Sequence, residues 1–204
     1  GRAPRLHRDC HKFDPCISHM ITNLFSTPIY TSKIDNLVRT QTEIQIACHD
    51  LDLEMTDKLH VYLSDPTFEE NILEHCPQFQ KEIDKHVERY CASLGFEIRP
   101  YQIESSWVAL YKKGNFCHIH EHGHVDISGV YYYDTSGDDG NLFFICPTPG
   151  LLSSPAYRQK SMIHEESPEI GKIVLFPGWL HHGVEINTTD STRICVAFNI
   201  VFER

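Results

Sequence analysis

In the stretch HIHEHGHVD, His118, His120, His122, His124 and Asp126 fall at every second position. Successive side chains of an extended strand point to opposite faces, so these five would share one face if the stretch stayed extended. Imidazole and carboxylate groups at this spacing are metal ligands. Two from a single strand end can hold an ion whose remaining ligands arrive from elsewhere in the fold. Five exceed the need of one ion, and Gly123 allows a bend that divides the window into a ligand pair and a turn. A solvated histidine-rich loop is the plain alternative. The window lies between two apolar runs, Trp107 to Tyr111 and Ile127 to Tyr133, whereas solvated tracts gather in loops and tails. A structural zinc site would be expected to show paired cysteines, and no C-x-x-C occurs.

A second half of the site is offered by GKIVLFPGWLHH, an apolar run ending at Pro177 and a turn that delivers His181 and His182. In extended geometry only one of these two neighbours faces a cavity. Arg193 follows at the head of RICVAFNIVF, between Thr192 and Ile194. A guanidinium inside a barrel needs an anionic partner, which a small-molecule carboxylate supplies bidentately; a surface pair with Asp190 or Glu185 is the alternative. Tyr132 shares strand parity with Ser128 and Val130, so on an interior face its hydroxyl can reach the same carboxylate, unless it only packs. Trp107 and Tyr111 share a face and are candidates to line the pocket.

The elements that position these residues change character along the chain. Leu24 to Tyr30 reads as a short strand. From Ser32, placed as a cap, a helical pattern puts Ile34, Leu37, Val38 and Ile44 on one face. Asp65-Pro66 with Glu69 and Glu70 is a helix start. Phe79, Ile83, Val87, Tyr90 and Leu94 repeat at helical spacing before Gly95 as the stop. Beyond residue 96 the period becomes that of strands: Trp107 to Tyr111, Ile127 to Tyr133, Asn141 to Ile145, Lys172 to Phe176 and Arg193 to Phe202. Helices followed by strands indicate an α+β domain, a β-sandwich or open barrel with helices on one face. The long polar stretch from Pro147 to Pro168 is read as a substrate-facing flap. Residues 1–19 lack periodicity and are read as an irregular N-terminal extension, leaving 20–204 as a single domain.

The 204 residues, 41% hydrophobic and 23% charged, suit one domain with a real core and exclude a disordered or collagen-like chain. Eighteen Lys and Arg against 28 Asp and Glu give a formal charge of -10, a surface that repels phosphate backbones and anionic membranes. Nucleic acid and membrane are therefore not the expected partners. No apolar run approaches the roughly 18 residues of a membrane-spanning helix, and no secretory signal is read at the start. The eight cysteines fall singly and are read mostly as reduced thiols packed like small apolar groups, as in a cytoplasmic protein. Asn187-Thr188-Thr189 matches a glycosylation acceptor and is read as fortuitous.

Together, H-x-H ahead of ISGVYYY, the GKIVLFPGWLHH segment and R-I-x-V-x-F-N with Arg193 and Asn199 resemble the Fe(II)/2-oxoglutarate-dependent oxygenase superfamily. The likeness is greatest to a small bacterial and phage branch whose members open with a segment like Leu24 to Tyr30, and it spans about residues 22 to 202. The resemblance implies a double-stranded β-helix, or jelly roll, with supporting N-terminal helices. It also implies Fe(II), 2-oxoglutarate as co-substrate and O2, with oxidative decarboxylation to succinate coupled to hydroxylation of a small molecule, amino acid or peptide side chain. His182 matches the distal iron ligand and Arg193 the co-substrate anchor, with Tyr132 as a further co-substrate contact. The branch pattern H-x-H-P-x-S, counted back from Ser128-Gly129, places the first pair at His120 and His122, with Gly123 and Val125 where proline and serine are usual. A literal H-x-D at His124 and Asp126 is the competing pair, and a cupin-like spacing would add Asp126 to His120 and His122. Two other readings stand beside the oxygenase. One is a non-catalytic cupin-like metal- or ligand-binding module; the other is a three-histidine cupin dioxygenase that does not use 2-oxoglutarate. The N-terminal helices offer a surface for a possible homodimer.

Overall fold

The computed structural model describes residues 26–49, 51–56, 59–64, 71–148, 150 and 162–204. Among them are eleven strands, two α-helices and one short 3-10 turn. In chain order these are β1 (Tyr30–Lys33), α1 (Leu37–Ala47), β2 (Glu54–Thr56), β3 (Val61–Leu63), the 3-10 turn Ile72–His75, α2 (Pro77–Ser93), β4 (Tyr101–Tyr111) and β5 (Cys117–His120). They continue as β6 (Ile127–Asp134), β7 (Leu142–Ile145), β8 (Ile163–Glu166), β9 (Lys172–Pro177), β10 (His182–Val184) and β11 (Arg193–Phe202). A major sheet runs β1-β9-β6-β11-β4-β3-β2 and a minor sheet β5-β10-β7-β8, and all their pairings are antiparallel. This is the α+β class expected, a jelly roll of two sheets that do not close into a barrel.

The alternation of β11 shows why the layers form. Ile194, Val196, Phe198 and Ile200 lie in a core shared with the helices. Arg193, Cys195, Ala197 and Asn199 point the other way and line a cavity between the sheets. One strand of period two thus serves an apolar core on one face and a site on the other. Helix α2 answers the first face with Phe79, Ile83, Val87, Tyr90 and Cys91 at helical spacing, all buried. Each such side chain contributes about 1.5–3 kcal/mol on burial.

The two helices hold one another by their ends. The Glu43 carboxylate on α1 accepts the backbone N–H groups of Gln78 (2.9 Å) and Phe79 (2.8 Å), which lack partners inside the first turn of α2. In return, Glu82 on α2 accepts from the Asp35 N–H and the Asn36 side-chain amide, each at 3.1 Å, just ahead of α1, and from Lys85 at 2.6 Å. Burial alone would raise the Glu82 pKa, but these donors hold it below the ordinary carboxylate value.

Several expectations need correction. Ser32 does not cap a helix: it lies in β1, which pairs with β9, and α1 begins only at Leu37. Val38, placed on the core face by periodicity, is 78% exposed, because the helix starts later and Thr40 and Ile44 form its buried line. Leu94 is a partly exposed end residue, with Gly95 at φ 80 as the stop. Within the stretch read as a flap, Ile163–Glu166 is strand β8, next to β7 at the end of the minor sheet. The rest of that stretch from 151 to 161, the helix start at Asp65-Pro66, Leu24, Phe25 and residues 1–19 lie outside the described residues. The described cysteines are free thiols. Asn187 is fully buried, its side chain bonded to the Tyr111 and Ser191 carbonyls at 3.1 and 2.7 Å, a structural turn in place of an acceptor site. No helix among the described residues is long and apolar enough to cross a membrane.

Close approach sets one position in the central sheet. A Cβ added at Gly129 on β6 would sit 2.2 Å from the Phe198 ring of β11. Gly129→Ala is expected to lower unfolding free energy by about 1–3 kcal/mol, as overpacking does, measured by urea denaturation. Adding Phe198→Leu to the alanine variant should recover part of the loss.

Candidate functional site

Three imidazoles meet between the sheets. His120 ends β5 and His182 opens β10, and the two stand directly opposite in register. His122 follows two residues beyond β5. One ring nitrogen from each of His120, His122 and His182 lies within 4.8 Å of the others. Ring centroids are 4.3 Å apart for His120 and His182, 5.2 Å for His120 and His122, and 5.3 Å for His122 and His182.

The backbone orients these rings. His120 Nδ1 lies 2.8 Å from the His118 carbonyl and His182 Nδ1 2.8 Å from the Leu180 carbonyl, each ring bonding two residues back. An Nδ1–H donating to a carbonyl leaves Nε2 as the free lone pair, the arrangement that presets a metal ligand. His122 is held through its turn: its N–H donates to the Gly178 carbonyl at 2.8 Å, and its own carbonyl accepts from Val125 N–H at 2.9 Å. Gly178 has no room for a side chain, since a Cβ there would lie 2.3 Å from the Val125 carbonyl oxygen. Burial, with the neighbouring His120 and His124 rings, lowers the His122 pKa to about 4. Burial, with His120 beside it, lowers His182 to about 3, and burial also lowers His120. All three are therefore neutral at pH 7, the form that binds a metal. The donor set fits a divalent transition ion, and among the described residues no carboxylate belongs to it.

Arg193 closes the other end of the same cavity, which measures about 70 Å³. It is 1% exposed, and it is answered by backbone: Nη1 donates to the Asp139 carbonyl at 3.3 Å and to the Gly140 carbonyl. Those carbonyls are fixed by a turn in which the buried Asp139 carboxylate accepts from Thr135 Oγ1 (2.7 Å) and Ser136 N–H (2.8 Å). The guanidinium stacks over Tyr111 at 4.1 Å. Arg193 Nε and Nη2 are buried without a partner. A cation that cannot lose its proton, with two unpartnered nitrogens on a residue of the cavity wall, matches a carboxylate that arrives with a ligand. The surface alternatives are spoken for: Asp190 pairs with Lys113 at 2.9 Å, and Glu185 accepts from Asn141 N–H at 3.0 Å. Tyr132 is buried in the cavity wall, as are Trp107 and Tyr111.

The histidine window does not stay on one face. Between the pairs His182 with His120 and Val184 with Cys117, β5 spends one residue more than β10, a bulge that turns the strand locally. His118 consequently packs against Phe116 (4.8 Å) and His60 (5.2 Å). Beyond His122 the chain turns, so that His124 Nε2 lies 3.0 Å from Glu104, and Asp126 Oδ2 accepts the Phe202 N–H at 2.8 Å. The competing His124 and Asp126 pair is engaged in these contacts. His181 is exposed while its neighbour His182 is buried, as strand parity requires.

The family model described as "Putative 2OG-Fe(II) oxygenase" matches residues 105–199, the span that holds the three histidines and Arg193. Over that span the chain is similar to the 2OG-Fe(II) oxygenases. Its fold recurs in solved structures. A prolyl-4-hydroxylase from Pseudomonas putida is 16% identical, with a TM-score of 0.60 over 88% of this chain and 95% of that one. HygX from Streptomyces hygroscopicus, with nickel and 2-oxoglutarate bound, is 14% identical, with a TM-score of 0.57 over 85% and 82%. A prolyl hydroxylase from Trichoplax adhaerens is 11% identical, with a TM-score of 0.58 over 85% and 83%. At such identities these are likenesses of fold. No curated protein sequence matches.

Sequence reasoning missed some residues of this site. Cys117 Sγ lies 3.7 Å from His120 Nδ1, and Cys195 shares the cavity wall with Arg193; single cysteines in apolar strands give no signal of that kind. The role of Asp139 was signalled only by the turn composition TSGDDG. Alanine at His120, His122 or His182 is expected to abolish stoichiometric Ni(II) or Co(II) binding by the full chain, measured by calorimetry. Asp126→Asn should still bind one ion per chain.

Proposed function

We propose that the chain is an Fe(II)- and 2-oxoglutarate-dependent oxygenase that hydroxylates a C–H bond of a small molecule, amino acid or peptide side chain. In this reading His120, His122 and His182 hold the iron, Arg193 takes the distal carboxylate of 2-oxoglutarate, and Tyr132 walls the co-substrate chamber. The observation that carries it is the pair of unpartnered Arg193 donors in the cavity that also holds three neutral imidazoles. Bound iron with 2-oxoglutarate would supply the oxidising power, by coupling decarboxylation of the keto acid to activation of O2.

The chain's own residues do the rest. Hydrogen bonds to the His118 and Leu180 carbonyls keep two imidazoles aimed without further reorganisation. Arg193 sets which dicarboxylate enters and how far, since its position is fixed by two carbonyls and the Tyr111 face. Apolar walls from Leu142, Val184 and Phe176 exclude water from the chamber. A substrate that is a small molecule or peptide is supported by related folds: HygX is known with hygromycin B bound and the Trichoplax enzyme with a peptide fragment.

The all-imidazole donor set favours one other reading, a cupin-type dioxygenase that needs no keto acid. Arg193 separates the two, because such an enzyme has no use for a buried carboxylate anchor. Anaerobic titration of the Fe(II) protein with 2-oxoglutarate should raise a weak visible charge-transfer band and, on admitting air, yield succinate. Arg193→Met should raise the 2-oxoglutarate concentration needed by about 100-fold, from loss of a charge-assisted bidentate contact, and His182→Ala should abolish both signals. An unaltered 2-oxoglutarate requirement in Arg193→Met would overturn the assignment.

A further inference from the structure

A second cleft of about 270 Å³ opens beside the metal-site cavity, lined by Glu104, Ser105, Trp107, His122, His124 and Asn199. Trp107, His122 and Asn199 also belong to the walls of the inner cavity, so a molecule in this cleft touches one of the three clustered histidines. The inner cavity, at about 70 Å³, has no space for a co-substrate and a second molecule together. Sites for drug-sized ligands run to roughly 300–1,000 Å³. The outer cleft supplies the missing room.

Its chemistry is set by a bulge. In the pairing of β4 with β11, Asn199 stands opposite Ser105, but Ile200 stands opposite Ile103, which leaves Glu104 as the extra residue. On one side of it Val108 belongs to the core beneath the helices, and Ser106 bonds Leu73 N–H in the 3-10 turn; on the other side Ile103 and Tyr101 pack against the same core. Regular alternation would have sent Glu104 with them. The bulge instead puts Glu104 and Ser105, adjacent in sequence, into one cleft, the kind of re-aiming bulges perform next to sites. Behind them lies a buried polar row: Ser128 Oγ donates to Asn199 Oδ1 at 2.9 Å, and Asn199 Nδ2 donates to Ser105 Oγ at 3.1 Å. Trp107, stacked on His122 at 6.3 Å, adds an aromatic wall.

Among the described residues Glu104 is the only acid in the lining, and no described Lys or Arg lies there to answer it. Its contact is His124, whose side chain is 75% exposed and can swing away, while Glu104 is 35% exposed. Resting on the oxygenase reading above, we propose that this cleft is the primary-substrate site. Through Glu104 it selects a cationic group, a primary amine or guanidinium of the kind a lysine or arginine side chain carries. The carboxylate takes the charge, the Trp107 face takes the cation by its π system, and Asn199 with Ser105 takes neighbouring polar atoms. Arg193 and Asn199 are six residues apart on β11, roughly 20 Å at about 3.3 Å per residue. The anionic co-substrate and the cationic substrate are thus drawn to opposite ends of one strand.

The chain has two tryptophans, so Trp179→Phe leaves Trp107 as the sole indole reporter. Titrating this full-length variant with Nα-acetyl-lysine and Nα-acetyl-arginine methylamides should change its fluorescence at concentrations at least about tenfold lower than the neutral norleucine analogue requires. Adding Glu104→Gln should erase that preference, and Glu104→Lys should transfer it to the glutamate analogue. In the Fe(II) protein with 2-oxoglutarate, the same basic probes should raise succinate formation above the substrate-free rate. Equal response to basic and neutral probes, or a preference that survives Glu104→Gln, would overturn the proposal. A basic preference in fluorescence without any charge-transfer band on adding 2-oxoglutarate would instead sink the oxygenase reading and leave the cleft's selectivity standing.

Discussion

A guanidinium enclosed between two sheets is costly unless its charge and its five donors are met. Arg193 is met in part by design of the backbone around it: the Asp139 turn turns two carbonyls inward, and Gly140 at φ 98 approaches the Glu185 carbonyl so closely that a Cβ would lie 2.5 Å from it. Nε and Nη2, which carry three of the five N–H groups, have no partner among the described residues. A buried turn that holds a cation on a cavity wall while part of its guanidinium stays unpartnered is what the proposed carboxylate ligand would complete. The turn from Thr135 to Gly140 and the apolar lining together enclose that half-satisfied charge.

The imidazole cluster at the other end of the cavity obeys the opposite rule. Its rings are kept uncharged by burial and mutual proximity, so the protein contributes donors without contributing charge. A divalent ion held there would keep its two positive charges uncompensated by side chains, and Arg193 adds one more. A small dianion that bridges the two ends is then electrostatically favoured over a neutral molecule or a monoanion of the same size. The absence of a carboxylate from the cluster, which departs from the common two-histidine, one-carboxylate set, strengthens this preference.

Much of the frame was legible in the sequence because period-two apolar runs and the helical repeat of Phe79, Ile83, Val87 and Tyr90 bury what they advertise. The strands β2, β3, β5, β8 and β10 were not, being three or four residues long with mixed polarity, too short for periodicity to declare itself. Helix α1 was placed early at Ser32 because strand and helix patterns overlap there, and tertiary pairing of β1 with β9 decided the matter. Within the site, His120, His122, His182 and Arg193 could be named from spacing and resemblance together. The fates of His118, His124 and Asp126 could not, since simple alternation predicts one shared face and a bulge with a following turn sends each to a different partner.

The bulges explain more than the misread residues. A regular jelly-roll strand gives one side chain in two to the interior, so a site built on regular strands alone offers widely spaced groups. The extra residue in β5 lets His120 meet His182 while His118 is turned aside, and the extra residue in β4 brings Glu104 and Ser105 into one cleft. In both places the departure from pairing falls where the two sheets open beside the imidazole cluster, and the long uninterrupted register of β4 with β11 from Tyr111 to Ser105 absorbs the local loss of ladder hydrogen bonds. Arg193 lies at the far end of that register, directly opposite Tyr111, and beside it the pairing of β11 with β6 carries an extra residue of its own, Tyr133, between the pairs Ile194 with Asp134 and Cys195 with Tyr132. Each group of the cavity wall thus takes its direction from a local break in pairing, while the β4 register and the Asp139 turn hold Arg193 between them.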